Sequence, residues 1–236
     1  MGMDLARHKS LLSEAQARVR QTGFLRRLPP ALQEQVLEGA RLVEYPAGGS
    51  MIYRDERRRP ALLAWGLLRS YLTWRDDRQL TLVYHRPGDL LEVLRVRGEL
   101  VSEGLQAIEP SGVLQLDLAT MERLARARSE LAIALAEDLR DRLGLAYSAL
   151  ARQTFGTVRQ RVAADLLERA AAGTESLRTG HELKVSAQQL ADATGSVREV
   201  VGRVLRQLRL SGVLGTEARR LVVRDPAGLQ REAEAG

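Results

Sequence analysis

The spacing of apolar residues predicts a helical start to the chain, followed by a region of strands. Residues 11–40 place apolar side chains on one helical face, and Pro29-Pro30 marks a helix start. From 41 to about 118, short apolar runs alternate with turn signals, which predicts a β-sandwich or barrel. The runs are Ala61–Trp65, Leu67–Trp74, Gln79–Tyr84 and Gly112–Leu118, separated by turns such as Asp76-Asp77 and Pro87–Asp89.

A long helical pattern follows from Thr120, and one of its faces has the spacing of a coiled-coil seam. Apolar and small residues recur at alternating steps of four and three, which packs two helices side by side. We therefore expect a homodimer formed through this seam. Leu131 and Leu135 lie beside the seam, and we expect them to pack on the β region of their own chain. The alternative is an amphipathic helix buried within one chain, which has a broader apolar stripe. The expected interface residues include Leu139, Leu143, Ala146 and Leu150.

The segment 185–208 predicts two short helices joined by a tight turn. Ser186 and Gln189 have the spacing of a capping box, which marks the start of the first helix. Gly195 lies where the chain must turn, because glycine tolerates positive φ. Such a pair of helices is typical of the helix-turn-helix that binds duplex DNA.

The second helix of this pair has an apolar face and a charged face. Ser196 and Glu199 match another capping box, which predicts that this helix starts at Ser196. After this helix, Gly212–Leu214 and Leu221–Val223 flank the polar segment Gly215–Arg220, which predicts a β-wing. The apolar stripe comprises Val200, Val201, Val204, Leu205 and Leu208, and Arg198, Glu199, Arg203 and Arg206 fall outside it.

Composition excludes several classes of protein. The chain has no cysteine, which excludes disulfides and cysteine-ligated zinc or iron–sulfur sites. No P-loop, Rossmann glycine pattern or histidine-centred triad is present, so we expect no enzyme, cofactor or metal. Without an apolar signal core or an 18-residue apolar run, we expect a cytoplasmic location and no membrane contact.

Positive charge is concentrated toward the C-terminus. Residues 152–224 contain 13 Lys and Arg against 7 Asp and Glu, a net charge of +6 that equals the net charge of the whole chain. Such a distribution favours a domain that binds phosphate groups. The alternative is that arginine usage reflects a GC-rich genome.

Together these motifs resemble the cyclic-AMP receptor protein/Fnr (Crp/Fnr) family of bacterial transcription regulators. The resemblance covers about residues 22–224 and includes Phe24–Pro29, Tyr45–Gly48, Pro87–Asp89 and 185–208. It implies an α+β fold with an N-terminal double-stranded β-helix (a jelly roll like those that bind cyclic nucleotides). A long dimerisation helix and a C-terminal winged helix-turn-helix follow. We predict domains at 1–125, 126–155 and 156–236.

The resemblance also implies which residues contact DNA. Arg198, Glu199 and Arg203 match the positions that read base edges, which suggests a TGTGA-like half-site repeated in a palindrome. The alternatives are that Glu199 only caps its helix and that Arg203 is a solvated charge. Predicted phosphate contacts are Ser186, Gln188, Ser196, Arg206, Arg209, Arg219 and Arg220.

The cyclic-nucleotide pocket of the family is altered in this sequence. Cyclic-AMP-binding members have a Gly-Glu pair followed by Arg-Ser or Arg-Thr, whereas this chain has Ser102-Glu103 near that place. A carboxylate there would repel a phosphate. The Thr-Ser pair that reaches adenine is replaced by Ala146-Tyr147, so we expect no response to cyclic AMP.

Several alternatives stay open at this point. Gly98-Glu99 could be a displaced Gly-Glu pair, with Arg95 or Arg97 supplying the charge. The same scaffold could be gated by another small effector in the β-roll, and haem ligation by His85 is the least favoured option. As a transcription regulator the protein is expected to act on RNA polymerase, as activator or repressor.

Overall fold

The computed structural model describes residues 2–52, 60–75, 77–91, 101–171, 177–218 and 220–234. The predicted α+β class is confirmed, with strands in the middle of the chain and helices on either side. The helices are α1 Gly2–Gln21, α2 Pro30–Leu37, α3 Leu118–Ala127, α4 Ser129–Phe155, α5 Val158–Ala170, α6 Ala187–Thr194, α7 Arg198–Leu210 and α8 Pro226–Glu234. The strands are β1 Arg41–Tyr45, β2 Ser50–Ile52, β3 Ala61–Trp65, β4 Leu68–Trp74, β5 Gln79–His85, β6 Leu90–Leu91, β7 Val101–Ala107, β8 Ser111–Gln115, β9 His181–Leu183, β10 Leu214–Glu217 and β11 Arg220–Val223.

The β region consists of two four-stranded sheets, in the orders β1-β8-β3-β6 and β2-β7-β4-β5. The pairs β1–β8, β3–β8, β3–β6 and β2–β7 are antiparallel. The strand prediction for Ala61–Trp65 is confirmed residue for residue, but the one ending at Leu118 runs too far. The Asp117 carboxylate accepts a hydrogen bond from the Thr120 amide at 2.8 Å, and this cap starts α3 at Leu118.

The region predicted as helical over 11–40 consists of the end of α1, a short 3-10 helix over Gly23–Arg27, and α2. Gly23 has φ +56°, and a Cβ there would lie 2.2 Å from the carbonyl oxygen of Gly88. The chain therefore turns at this glycine. The helix start at Pro30 is confirmed.

The predicted helix from Thr120 is also divided, because Arg128 adopts an extended conformation between α3 and α4. Leu131 is fully buried and Leu135 is partly buried against the core of the β region, as predicted. This core combines residues of α1, the 3-10 helix, α2 and the sheet β1-β8-β3-β6. Its largest buried side chains include Phe24, Leu25, Leu32, Leu62, Leu90, Leu114 and Leu116.

The C-terminal region forms a winged helix-turn-helix around its own core. The three-stranded sheet β10-β11-β9 includes the predicted wing, although its first wing strand, β10, starts at Leu214 and not at Gly212 as predicted. Helix α8 lies beyond the predicted elements and buries Leu229 in this core. Buried partners include Val162, Leu166, Leu190, Val201, Leu205, Leu208 and Val223.

The chain divides into two compact units. The first comprises Met1–Ser70, His85–Gly98 and Glu103–Gly144, and the second comprises Tyr71–Tyr84, Glu99–Ser102 and Leu145–Gly236. The hairpin over Tyr71–Tyr84 thus belongs to the same unit as α5, α6 and α7. The domain limits at 125 and 155 stay a prediction.

Candidate nucleic-acid interface

Helix α6 starts with the predicted capping box. The Ser186 hydroxyl accepts a hydrogen bond from the Gln189 amide at 3.1 Å, and Gln189 Oε1 accepts one from the Ser186 amide at 2.8 Å. These two bonds satisfy donors that the first turn of a helix leaves open. Leu190 and Ala191 are buried, so α6 is fixed to the core at its inner face.

The turn between α6 and α7 depends on Gly195. This residue ends α6 in the left-handed conformation, with φ +60° and ψ +38°. A Cβ at Gly195 would lie 3.0 Å from Nε2 of Gln153, so the turn also packs closely on the end of α4. The prediction of a glycine-dependent turn is confirmed.

The capping box predicted for Ser196 and Glu199 is wrong. Helix α7 starts at Arg198, its N-cap is Val197, and no side chain caps it. The amide of Ser196 donates to the carbonyl of Ala191 at 3.0 Å, so Ser196 completes the end of α6 instead. Helix capping therefore does not account for Glu199.

Helix α7 has one buried and one charged face, as predicted. Val201, Val204, Leu205 and Leu208 are buried, and Val200 is half-buried. The exposed side chains of Arg198, Glu199, Arg203 and Arg206 form no hydrogen bond or ion pair within the described part of the chain. Their charges face solvent and are available to a ligand.

The predicted phosphate contacts near α6 occupy different environments. Ser186 and Gln188 are exposed, and Gln188 Nε2 donates to Asp192 Oδ1 at 2.7 Å. Ser196 is half-buried in the turn and does not cap α7. Lys184, which the sequence patterns did not single out, is exposed two residues before Ser186.

The arginines near the wing differ from Arg198, Arg203 and Arg206 because they have partners. Arg209 Nε donates to Thr216 Oγ1 at 3.1 Å, which ties the end of α7 to the wing. Arg220 forms an ion pair with Glu182 at 2.5 Å. Arg224 pairs with Glu217 at the same distance, and Arg219 lies outside the described residues.

Comparison with known proteins agrees with this geometry. The family model for the Crp-like helix-turn-helix domain matches residues 160–232. The transcriptional regulator LdrP of Thermus thermophilus is 32% identical over 180 residues, which cover 76% of this chain and 89% of LdrP. The chain belongs to the Crp/Fnr family.

More distant members of the Crp/Fnr family extend the comparison. The cAMP-activated global transcriptional regulator CRP of Pasteurella multocida is 23% identical over 194 residues, or 80% of this chain and 93% of that protein. The structure of FixK2 from Bradyrhizobium japonicum has a TM-score of 0.67 and 26% identity, covering 84% of this chain and 98% of FixK2. Like LdrP and CRP, this Crp/Fnr member is a transcription regulator and not an enzyme, and its helix-turn-helix is a DNA-binding domain.

Helix α4 of this Crp/Fnr regulator exposes the predicted seam. Leu143 and Leu150 are 52% and 60% exposed, while Leu139 and Ala146 are half-buried. Tyr147 beside them is also exposed.

No helix in the described ranges is long and apolar enough to span a membrane.

Polar side chains of the β-roll and α4 form a cluster that the sequence did not predict, in which His85 is buried and Asp138 and Arg142 are half-buried. Arg142 Nε lies 2.6 Å from Oδ2 of Asp138 on α4, one helical turn away. The pKa of nearby His85 is lowered to about 3, mainly by burial and to a smaller extent by the charges of Arg142 and Arg86. Burial also raises the pKa of the Asp89 and Asp138 carboxyls.

Two nitrogen atoms of this cluster, His85 Nε2 and Arg142 Nη2, are buried without a hydrogen-bond partner in the described residues. His85 ends β5 and Arg142 lies on α4, far along the sequence, so no local motif signals the cluster. The segment that decides the cyclic-nucleotide cassette, with Arg95, Arg97 and Gly98-Glu99, lies outside the described residues.

Proposed function

We propose that this regulator binds a palindromic operator and reads each half-site through Arg198, Glu199 and Arg203. The supporting observation is that these three side chains of α7 are exposed and unengaged in the described part of the chain. An arginine donates two hydrogen bonds to guanine O6 and N7, and a carboxylate accepts one from cytosine N4. With the family resemblance, this chemistry favours a TGTGA-like half-site.

A palindrome requires a two-fold dimer, and α4 supplies a surface for it. Its exposed apolar stripe, which includes Leu143 and Leu150, has the spacing of a coiled-coil seam. In analytical ultracentrifugation we expect the wild type to sediment as a dimer and Leu143→Glu as a monomer. Leu143→Glu should also fail to bind the palindrome. Leu145→Glu is the matched control, because Leu145 is similarly exposed at 48% but lies on another face of α4. A wild-type protein that sediments as a monomer on its own and on DNA would contradict the dimer.

We further propose that DNA binding does not require cyclic AMP and takes place in the cytoplasm. The Pasteurella relative is cAMP-activated by its name. Between Leu90 and Gly104, where the family has its cassette, the sequence contains no Arg-Ser or Arg-Thr pair, and Ala146-Tyr147 stands where the family places its adenine contacts. A pocket without a cation for the cyclic phosphate loses its main source of affinity.

An unbiased selection of DNA sites by the purified full chain, with and without cyclic AMP, tests the proposal. We expect the same palindrome under both conditions. Enrichment only with cyclic AMP would refute effector independence, and no enrichment under either condition would refute sequence-specific binding. In vitro transcription with RNA polymerase from the selected site then separates activation from repression.

A second candidate is the same scaffold gated by a small effector in the β-roll. The buried, unpartnered His85 Nε2 and Arg142 Nη2 favour it, because buried polar atoms without partners are rare and often mark a missing ligand or water. Calorimetric titration with cyclic AMP checks this candidate. Micromolar binding that disappears in Arg142→Met would support it.

A further inference from the structure

A buried polar cluster connects the β4–β5 hairpin to the first helix of the DNA-binding region. The Tyr84 hydroxyl donates a hydrogen bond to Oδ1 of Asp165, and Arg169 Nε donates to Oδ2 of the same carboxylate at 2.7 Å. The Arg169 guanidinium lies 5.4 Å from the centre of the Tyr84 ring, within range of a cation–π contact. Tyr84, Asp165 and Arg169 are 7%, 6% and 8% exposed.

The three residues come from two elements of one compact unit. Tyr84 lies on β5, and Asp165 and Arg169 lie one turn apart on α5. Inside the same helix, Val162 and Leu166 belong to the core that also buries residues of α6 and α7. Because α5 and α7 share this core, a contact that holds α5 in place also restrains the position of α7.

The chemistry of the cluster favours a geometric role over a general contribution to stability. A buried ion pair gains little over apolar packing, because both charges lose their hydration. It does impose one arrangement, since each carboxylate oxygen accepts from a donor in a defined direction. Of the three residues, only Tyr84 belongs to the hairpin, so its hydroxyl sets where the hairpin meets α5.

We propose that Tyr84 is a positioning residue for DNA binding, acting through Asp165 to hold α5 and thereby the recognition helix α7. This role rests on the proposed operator binding. In the arrangement held by the cluster, Arg198, Glu199 and Arg203 are exposed, which leaves them open to contact with base edges. Loss of the Tyr84 hydroxyl weakens operator binding and leaves base preference unchanged.

The test compares Tyr84→Phe with Tyr71→Phe in the full chain. Each change removes one hydroxyl from a buried tyrosine of the same hairpin, since Tyr71 is 5% exposed. Dissociation constants are measured on the selected operator at a temperature where circular dichroism shows every variant folded. We expect about tenfold weaker binding for Tyr84→Phe and no more than about twofold for Tyr71→Phe.

A double-mutant cycle provides a second test, which does not depend on the stability of one variant alone. Asp165→Asn is expected to weaken operator binding similarly, and adding Tyr84→Phe to it should cause no further loss. A Tyr84→Phe variant that melts earlier but binds the operator like the wild type would assign the hydroxyl to stability alone and overturn the proposal. A wild type that does not prefer the operator to scrambled DNA would refute the proposed function as well.

Discussion

Gly195 and Gln153 pack so closely that a Cβ on the glycine would lie 3.0 Å from the Nε2 atom of the amide. The turn of the helix-turn-helix thus rests on the end of α4. Left-handed backbone alone costs a residue with a Cβ roughly 1–2 kcal/mol. The contact adds a steric cost, because Gln153 must move to admit the methyl group.

We therefore predict that Gly195→Ala lowers the free energy of unfolding by about 1 kcal/mol more than Gly212→Ala. Gly212 is the matched control, because it has φ +77° and nothing within 4 Å of its Cβ position. Urea unfolding followed by circular dichroism measures both. Equal losses would show that Gln153 moves aside without cost.

The buried His85 predicts a dependence of stability on pH. Its pKa is about 3 in the folded protein and 6.5 in the unfolded chain, so only the unfolded chain takes up a proton between these values. Stability from this group is complete above pH 6.5 and falls by about 1.4 kcal/mol for each pH unit below it. The raised pKa values of Asp89 and Asp138 act in the opposite sense, because the folded state protonates them first.

We expect His85→Gln to flatten the fall in stability between about pH 6.5 and 5, where these carboxyls contribute least. His181→Gln is the control, since it removes a half-buried histidine on β9, outside this cluster. Unfolding in urea at several pH values gives the slopes. An unchanged slope in His85→Gln would show that His85 does not cause the fall in stability.

The recognition helix lacks a side-chain cap, which predicts that a single substitution stabilises it. Val197 is the N-cap of α7 and is 57% exposed. Val197→Ser should raise the free energy of unfolding by about 1 kcal/mol, because the hydroxyl can accept a hydrogen bond from an open amide of the first turn. Ser186→Ala, which removes the observed cap of α6, should lower it by a similar amount. A melting temperature of Val197→Ser equal to that of the wild type would contradict this prediction.

Two arginines of α7 are predicted to affect DNA binding differently. Arg203→Ala should cost about 1–3 kcal/mol on the operator and much less on scrambled DNA, because it removes base contacts. Arg206→Ala should weaken both alike and reduce the salt slope by about one, because it removes a phosphate contact.

Fluorescence anisotropy at several salt concentrations separates these effects. Arg126→Ala is the control, because Arg126 is an exposed arginine of α3 outside the DNA-binding region, paired with Glu122. Equal losses on operator and scrambled DNA for Arg203→Ala would place Arg203 at a phosphate.

The sequence predicts those parts of the site that depend on neighbours in the chain. Ser186 with Gln189, and Gly195 with its positive φ, satisfy local rules and occur where expected. Ser196 with Glu199 satisfies the same capping rule, yet the carbonyl of Ala191 captures the Ser196 amide and moves the helix start. Tyr84 and Asp165 are 81 positions apart, so no periodicity indicates their contact.

The ion pairs near the wing bear on how strongly the regulator binds DNA outside its operator. Arg220 and Arg224 each pair with a glutamate of their own chain, so fewer arginines are free to contact phosphates than the number of arginines in the sequence indicates. Affinity for random DNA depends on the number of phosphates neutralised. When the wing arginines are paired within the protein, the residence time on non-specific DNA is shorter. A larger fraction of the protein then stays unbound and can reach the operator.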